Sequence, residues 1–380
     1  MVFFSFLKNT NQEINLGNKI RLGLIGASIK GGWSARSHLP AILANNEIEL
    51  TAVCTTKAES AEATREAYGA SFGFSDYREM LVSPDIDAVA VVVRVPSHYE
   101  PTKAALEAQK HVYCEWPLGR TTKEAIELLE LAKDKGVKTA TGLQARVNPA
   151  LIHMKNLISD GYVGRVMSVQ VSLMRDGILS RPSNRSWQRD ESLGANTLTI
   201  ANGHTIDSMR FVVGDFSRLS AMISTQADKW FETDTNELVS VSSPDNVIIN
   251  GFLYSGAIVS SQVSEVPFAG SGYRMEIHGS EGTLVATSRN APQLGEVFLS
   301  GAKKNNKLSI IKVPDILGHA VGEKVVGEAL NVGLVYSAFV ESIKGNKTRH
   351  PTFETALELH QLIDGIKQSS DSGHEIELKK

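Results

Sequence analysis

A glycine-rich turn near the start of the chain has the residue types needed to bind a phosphate group. The apolar run Ile20 to Ile25 leads directly into it, and a helical pattern follows. Glycine at such a turn adopts positive φ and lets the backbone approach a pyrophosphate, whose charge the free N–H groups of the helix N-terminus then hold. The spacing departs from a strict G-x-G-x-x-G because Ser28 stands where a glycine belongs, so a purely structural strand-to-helix turn remains an alternative. The turn residues predicted to bind a dinucleotide are Gly26, Ser28, Ile29, Lys30 and Trp33.

The end of the second apolar run bears on which dinucleotide this turn would bind. An acid at that place hydrogen-bonds the ribose 2′-hydroxyl, whereas a cation or a small polar group accommodates a 2′-phosphate. Here Cys54 is followed by Thr55, Thr56 and Lys57, with no carboxylate. The sequence therefore favours NADP and leaves NAD open. The alternative for Lys57 is a solvated residue at the start of the next helix.

The secondary-structure elements that would position these residues alternate between strand and helix along the first 150 residues. Short apolar runs are separated by helical patterns, which is typical of a parallel sheet covered on both faces. We therefore predict an α/β protein whose residues 19–148 form a doubly wound, nucleotide-binding Rossmann domain, preceded by an N-terminal arm at residues 1–18. The predicted strands are Ile20 to Ile25, Ile48 to Cys54, Ser71 to Phe74, Ala88 to Val95, His111 to Cys114 and Lys138 to Leu143.

The pattern changes after Pro149. Longer runs of alternating polarity, separated by Gly, Asn and Asp turns, predict a large and mostly antiparallel sheet. One helix, near Thr199 to Val213, interrupts these runs. Residues 149–380 are accordingly predicted to form an α+β domain.

Composition limits the functional classes. The chain has 380 residues, 42% apolar and 21% charged, with a net charge of -3 and no long run of one sign. It carries no basic footprint for nucleic acid and no polybasic membrane patch, so a small neutral or anionic ligand is expected. Cys54 and Cys114 are isolated thiols that predict neither a disulfide framework nor a metal site, which fits a reducing cytoplasm.

Several segments, taken with the glycine-rich turn, resemble the glucose-fructose oxidoreductase / inositol dehydrogenase (Gfo/Idh/MocA) family. The resemblance implies a Rossmann domain joined to an open-faced sheet that commonly pairs with another subunit, hence a homodimer or higher homo-oligomer. It also implies a sugar or polyol ligand. The segments are Val95-Pro96-Ser97-His98-Tyr99, Cys114-Glu115-Trp116-Pro117-Leu118, Gly142-Leu143-Gln144-Ala145-Arg146 and the stretch from Trp187 to Gly194.

The resemblance also assigns site residues. Beyond the glycine-rich turn and the second strand end, the positions implied to contact the cofactor are Val95, Pro96, His98, Glu115, Trp116, Pro117 and Gln144. The positions implied to contact the substrate are Trp116, Arg146, Arg175, Trp187 and His204.

Two positions depart from the family pattern. Family members usually read Glu-Lys-Pro and use the lysine in hydride transfer, whereas this chain has Trp116. The family also places an aspartate four residues before a histidine on one helix; the histidine is present as His204, but Ile200 replaces the aspartate. The resemblance implies that His204 is the base that takes the substrate hydroxyl proton. At these two positions the sequence resembles the branch of the family represented by the yeast galactose-pathway repressor.

Three functions are compatible with these residues. The first is an NAD(P)-dependent oxidoreductase acting on a sugar or polyol, in which Trp116 shapes the pocket because indole has no proton to transfer at neutral pH. The second is a catalytically inactive dinucleotide-binding regulator with a protein partner. The third is a sugar-binding or structural subunit with a relic cofactor turn.

Overall fold

The computed structural model of the protein describes residues 19–29, 31–314 and 325–379. The predicted arm at residues 1–18 lies outside the described residues, and so does Lys30. Among the described helices, none is both long enough and apolar enough to cross a membrane.

The first domain is built on a parallel six-stranded sheet. Its central strands are buried on both faces, which explains why they read as continuous apolar runs rather than as alternating ones, whereas the edge strand β3 is largely exposed. Their order, β3-β2-β1-β4-β5-β6, changes direction between β1 and β4, and ligands of doubly wound sheets bind at such a point. The strands are β1 (Ile20–Ile25), β2 (Ile48–Cys54), β3 (Phe72–Phe74), β4 (Ala88–Val91), β5 (His111–Cys114) and β6 (Thr139–Thr141).

Helices connect these strands, and their ends follow ordinary capping rules. The longest of them starts where the Thr121 side chain accepts a hydrogen bond from the Glu124 N–H (3.2 Å) and ends at Gly136 in the left-handed conformation. The connecting helices are α1 (Leu39–Ala44), α2 (Ala58–Tyr68), α3 (Tyr77–Leu81), α4 (Tyr99–Glu107) and α5 (Thr122–Lys135).

The helix after the glycine-rich turn is not uniform. Residues Ser34–His38 form a π-helical turn, and regular α-helix begins only at Leu39. Pro40 has no N–H to donate to the carbonyl four residues earlier, which is a physical reason for the wider turn. The wide turn holds His38 fully buried.

The second domain is built on a nine-stranded sheet of order β17-β16-β15-β14-β7-β13-β12-β9-β18, with every neighbouring pair antiparallel except β7 and β13. The predicted mostly antiparallel sheet is thus confirmed. A smaller sheet, in the order β11-β10-β8, covers one side of the cleft between the domains. The strands are β7 (Val166–Asp176), β8 (Ser180–Arg181), β9 (Phe216–Ser224), β10 (Lys229–Glu232), β11 (Glu237–Ser240), β12 (Asn246–Leu253), β13 (Ile258–Val266), β14 (Gly272–Gly279), β15 (Gly282–Ser288), β16 (Phe298–Lys303), β17 (Ser309–Ile310) and β18 (Ile376–Glu377).

Helices pack on one face of this sheet, and one of them returns to the first domain. The helices are α6 (Pro149–Ser159), α7 (Gly203–Val213), α8 (Gly327–Ile343) and α9 (Phe353–Ser372). A π-helical segment, Thr197–Asn202, leads into α7. Helix α8 buries Tyr336 and Phe339 in the same core as Leu39 and Ile42 of α1. It thereby brings a residue from late in the chain beneath the glycine-rich turn. The boundary predicted at residue 148 stays a prediction.

Candidate functional site

A cleft of about 300 Å³ lies between the carboxyl ends of the parallel strands and the second domain, within the size range of small-molecule sites. It brings together nine of the nineteen residues that the sequence analysis selected from distant segments. The predicted residues that line it are Trp33, Val95, His98, Glu115, Trp116, Gln144, Arg175, Trp187 and His204.

The glycine-rich turn has the shape of a cofactor cradle. Gly26 has φ of +91°, and a Cβ at this position would lie 2.2 Å from the carbonyl oxygen of Val92. Its N–H donates to the Cys54 carbonyl (2.9 Å), which fixes the turn between β1, β2 and β4. A side chain is therefore excluded where a dinucleotide backbone must approach, so these residues fit a bound dinucleotide. Ile29 is largely exposed on the same turn.

The residues predicted to select between NAD and NADP lie at the end of β2, apart from the cleft lining. The Thr55 hydroxyl bonds the Ser60 hydroxyl (2.6 Å) and the Lys57 carbonyl (2.9 Å) at the start of α2. Lys57 is exposed and is the N-cap residue of α2. No carboxylate directly follows Cys54. The preference for NADP over NAD stays a prediction.

Glu115 is the centre of a buried hydrogen-bond network on the floor of the cleft. Its carboxylate accepts from the Tyr113 hydroxyl (3.0 Å) and from the Gln144 amide (2.9 Å), and it lies 3.0 Å from Nε2 of His38. Nδ1 of His38 in turn lies 2.8 Å from the hydroxyl of Tyr336 on α8. The network joins β5, the strand end after β6, the first turn and α8, and so fixes the floor from four directions.

The balance of forces on Glu115 favours its charged form. Burial by itself raises the pKa of this carboxyl, but the hydrogen bond and charge of His38 and the Tyr113 hydroxyl outweigh it and lower the pKa. Gly142 is required beside it, because a Cβ there would lie 2.6 Å from a Glu115 oxygen. The structure therefore keeps a negative charge under the cleft at neutral pH.

His98 holds the Val95–Ser97 turn in place. It is 1% exposed, and its two ring nitrogens face the carbonyl oxygens of Pro117 (2.6 Å) and Val93 (3.1 Å). Burial lowers the pKa of His98, although both carbonyls oppose this effect. The residue thus ties the loop after β4 to the loop after β5, with Val95 and Pro96 carried between them.

The Trp116 side chain is packed between the two domains and is not an exposed ring on which a ligand could stack. It is 4% exposed, and its indole N–H donates to the Thr199 carbonyl (2.8 Å) in the π-helical segment. Its ring lies 4.7 Å from the ring of His360, and a Cβ on Gly203 would lie 2.8 Å from the indole nitrogen. The tryptophan therefore depends on glycine at position 203, and its polar atom is already used.

Replacing Trp116 with lysine, the residue usual in the family, is expected to destabilise the protein. The change removes a buried ring and the bond to Thr199 and places a cation where the indole packs, so the free energy of unfolding should fall by about 3 kcal/mol or more. Urea denaturation measures this. Trp116→Phe, which keeps an aromatic ring, should lose less. Equal free energies of unfolding for Trp116→Lys and the unchanged protein would contradict a stabilising role for the packed Trp116 side chain.

His204 is a neutral histidine at the cleft wall. It lies on the first turn of α7, is 6% exposed, and its Nδ1 has no hydrogen-bond partner among the described residues. Burial lowers its pKa to about 4, while the charges of Glu115 and Asp207 act in the opposite direction. An unprotonated imidazole at neutral pH can accept a proton, and the two carboxylates would stabilise the cation formed. Ile200, one turn earlier, gives this wall an apolar side chain.

Two buried histidines predict a loss of stability in mild acid. Burial lowers the pKa of His360, like that of His204, to about 4, against about 6.5 in the unfolded chain. The unfolded chain therefore binds more protons between these values, so stability is complete above about pH 6.5 and falls as the pH drops toward 4. Between pH 7 and pH 5 each histidine should contribute a loss of about 2 kcal/mol. Urea unfolding at both pH values measures this, and the loss should shrink in His360→Leu; an unfolding free energy unchanged with pH would contradict the prediction.

The structure corrects the role predicted for Arg146. Its guanidinium forms a two-pronged ion pair with the buried Asp207 on α7, with distances of 2.7 to 3.0 Å, and it is not among the residues that line the cleft. The pair uses the Nε–H and an Nη2–H of Arg146, on a side of the molecule that does not line the cleft. Arg146 therefore joins α7 to the strand end after β6, and Asp207 is its partner.

Several residues of the cleft were not predicted as site residues. On the first-domain side they include His38 and Tyr336, and on the second-domain side Arg181, Arg185 and Trp230. The sequence offered one signal, since arginines at 175, 181, 185 and 189 are unusually dense for a predicted loop. Tyr336 gave no signal, because only the packing of α8 brings it beneath the first turn.

The fold and the cleft together define a dinucleotide-binding protein of the oxidoreductase type. Residues 20–143 match the oxidoreductase family with an NAD-binding Rossmann fold (Gfo/Idh/MocA), and residues 149–288 match the C-terminal domain of Gal80p. The chain therefore combines a first domain of the Gfo/Idh/MocA type with a Gal80-like second domain.

Relatives of this chain fall into two functional groups. Dehydrogenase aclE of Aspergillus oryzae is 27% identical over 94% of this chain and 98% of its own. The galactose/lactose metabolism regulatory protein GAL80 of Kluyveromyces lactis is 29% identical over 70% of this chain, which spans 63% of that regulator. A solved levoglucosan dehydrogenase in complex with NADH and levoglucosan shares the fold, with a TM-score of 0.84 at 23% identity over 96% of this chain and all of that one.

Proposed function

We propose that the protein is an NAD(P)-dependent oxidoreductase that transfers a hydride between a nicotinamide and a hydroxyl-bearing carbon of a sugar or polyol. The observation that carries the proposal is the position of His204. This buried neutral imidazole lines the same cleft as Val92, which follows β4, and Glu115, which follows β5. The Rossmann fold receives its dinucleotide at this edge of the sheet. Relatives named as dehydrogenases of levoglucosan and of scyllo-inositol support a sugar or polyol as the substrate class.

Each residue at the cleft is proposed to have a separate role in the hydride-transfer reaction. A bound nicotinamide supplies the hydride acceptor or donor. Gly26 leaves room for the dinucleotide backbone, and Val95 with Trp116 excludes water from the inner end of the cleft. His204 takes the hydroxyl proton during oxidation and returns it during reduction. The negative charge of Glu115 stabilises the imidazolium between these steps.

The cofactor preference is proposed to be NADP over NAD, because Thr55, Thr56 and Lys57 follow β2 with no carboxylate among them. A homodimer is proposed through the open face of the nine-stranded sheet, where Met222 (64% exposed) on β9 and Ile258 (50% exposed) on β13 lie on either side of β12.

The second candidate is a regulator that binds the dinucleotide without turnover. The match of residues 149–288 to the Gal80p C-terminal domain favours it, as does the burial of Trp116 in place of a lysine. In this reading His204 and the Glu115 network serve to sense the cofactor, and a protein partner carries the signal.

Absorbance at 340 nm separates the two candidates. Purified protein is mixed with NAD⁺ or NADP⁺ and a panel of aldoses, polyols and sugar acids, and cofactor binding is measured in parallel by tryptophan fluorescence. The oxidoreductase predicts a rise in absorbance with at least one substrate. Cofactor binding without any absorbance change across the panel would refute it and favour the regulator.

A further inference from the structure

The second-domain wall of the cleft carries three arginines, Arg175, Arg181 and Arg185, which we call the arginine cluster. The chain as a whole has a net charge of -3, so this concentration of positive charge is local. A single carboxylate on that wall is paired with the cluster. One oxygen of Glu265 lies 3.5 Å from Arg175, and the other contacts Arg181. Two of the three guanidinium groups thus share one negative charge, and the third is left without a paired carboxylate among the described residues.

Strand register and an aromatic ring hold two members of the cluster in place. Arg175 and Glu265 are paired across the parallel strands β7 and β13, so the sheet itself sets their separation. The guanidinium of Arg181 lies 3.9 Å from the ring centre of Trp230 and donates to the Gln188 side chain (3.0 Å). Arg175 and Arg181 are therefore fixed before any ligand arrives.

Arg185 is the member left without a partner. It is exposed to the cleft, and its guanidinium makes no hydrogen bond or ion pair with any described residue. The other acid on that wall, Asp245, is already used, because it accepts from the N–H groups of Gln226 and Ala227. A donor group of fixed charge thus faces the cleft with its hydrogen bonds unused.

The cluster lies within reach of the reacting end of the cleft. His204, Arg175 and Arg185 all line the same cleft of about 300 Å³. Arg175 acts on Arg185, whose pKa is lowered by burial and then by that neighbouring charge. A small molecule that contacts His204 at one end can therefore contact Arg175 or Arg185 at the other.

We propose that the substrate is a sugar or polyol that carries an anionic oxygen group, a carboxylate or a phosphate ester, held by the arginine cluster while a hydroxyl reaches His204. The inference rests on the proposed function and narrows its substrate class. The planar guanidinium binds two oxygens of such a group at once, whereas a neutral hydroxyl leaves its charge unpaired. The dinucleotide phosphates belong to the opposite wall, at Gly26 in the Rossmann domain.

Tryptophan fluorescence provides a direct binding assay, since all four tryptophans of the chain line this cleft: Trp33, Trp116, Trp187 and Trp230. With NADPH present, the protein is titrated with D-glucuronate, D-glucose 6-phosphate and D-glucose. At least one of the two anions should bind about 10-fold or more tightly than glucose, and its affinity should fall with added salt. The preferred anion identifies the group. Equal or tighter binding of glucose would overturn the inference.

Two variants with the same change in charge sharpen the test. Arg185→Ala should weaken binding of the preferred anion by about 10-fold or more and leave the affinities for NADPH and glucose unchanged. Arg165→Ala removes an exposed arginine outside the cleft and should change none of them. Equal weakening of anion and glucose, or weakening of NADPH, would contradict the assignment. Anion binding that follows this pattern without turnover would refute only the oxidoreductase proposal.

Discussion

Replacing His204 with glutamine is expected to lower kcat/KM for sugar oxidation by about 10²- to 10⁴-fold, the range that general acid–base assistance supplies. The glutamine side chain is similar in size and polar, but it has no basic nitrogen to take the hydroxyl proton. Steady-state rates at 340 nm measure the effect. Because burial lowers the pKa of His204 to about 4, the unchanged protein should keep its activity from neutral pH down to about pH 5 and lose it below.

His111 provides a matched control for this substitution. It is also a histidine whose pKa burial lowers to about 4, but it begins β5 at the end opposite to the cleft. His111→Gln should retain the activity of the unchanged protein. A similar loss in both variants would show that the effect of His204→Gln comes from folding, and full activity of His204→Gln would remove His204 from the chemistry.

Replacing Gly26 with alanine is expected to abolish tight cofactor binding. The new Cβ would meet the Val92 carbonyl at 2.2 Å, so the turn must move away from β4 and misdirect the N–H groups that would hold the pyrophosphate. A lost hydrogen bond to a charged group costs about 1.5 to 3 kcal/mol, so NADPH affinity should fall by about 10-fold or more. Fluorescence titration measures the affinity, and thermal unfolding of the same sample should show a lower Tm.

The variant Gly136→Ala is a control that separates the effect of steric crowding on cofactor affinity from the effect of backbone strain. It also has positive φ, at +64°, but a Cβ there would meet nothing within 4 Å. Gly136→Ala should cost about 1 kcal/mol of stability through φ alone and leave cofactor affinity unchanged. If Gly26→Ala and Gly136→Ala bind NADPH equally well, the cradle at Gly26 does not hold the cofactor.

The sequence predicted the fold well because the pattern of apolar residues is set by burial. Parallel strands covered on both faces must be continuously apolar, and the six strand runs of the first domain fall where β1 to β6 lie. The second domain was predicted less completely. The predicted runs of alternating polarity did not include β15, because every residue of Gly282–Ser288 is buried or half-buried and the strand therefore carries little periodic signal.

The site was predicted in part, and the misses have a common physical cause. Glu115 and Gln144 were predicted from the family resemblance, and they lie together in the structure because the strand order places their strand ends side by side. Contacts that depend on long-range packing were not found. Arg146 was expected at the substrate, but the approach of α7 gives it Asp207 as a partner, and Tyr336 reaches the network only through the return of α8.

Trp116 shows what the structure adds to a family pattern. In the family pattern this position usually holds a lysine, and in this chain it holds a tryptophan. In the structure its indole donates to Thr199, packs against His360 and requires the absence of a side chain at Gly203. The wall of the cleft has therefore changed at several positions together, with Ile200 among them, while His204 and the Gly26 turn are retained.

The central claim is that this cleft transfers hydride as well as binding the cofactor. The most direct measurement is a single turnover, in which excess protein loaded with NADPH or NADH is mixed with the oxidised forms of sugars and sugar acids and followed at 340 nm. We predict that one reduced cofactor per site is consumed with at least one of these compounds, and far more slowly in His204→Gln. Reduced cofactor that stays bound and unoxidised throughout would contradict the claim.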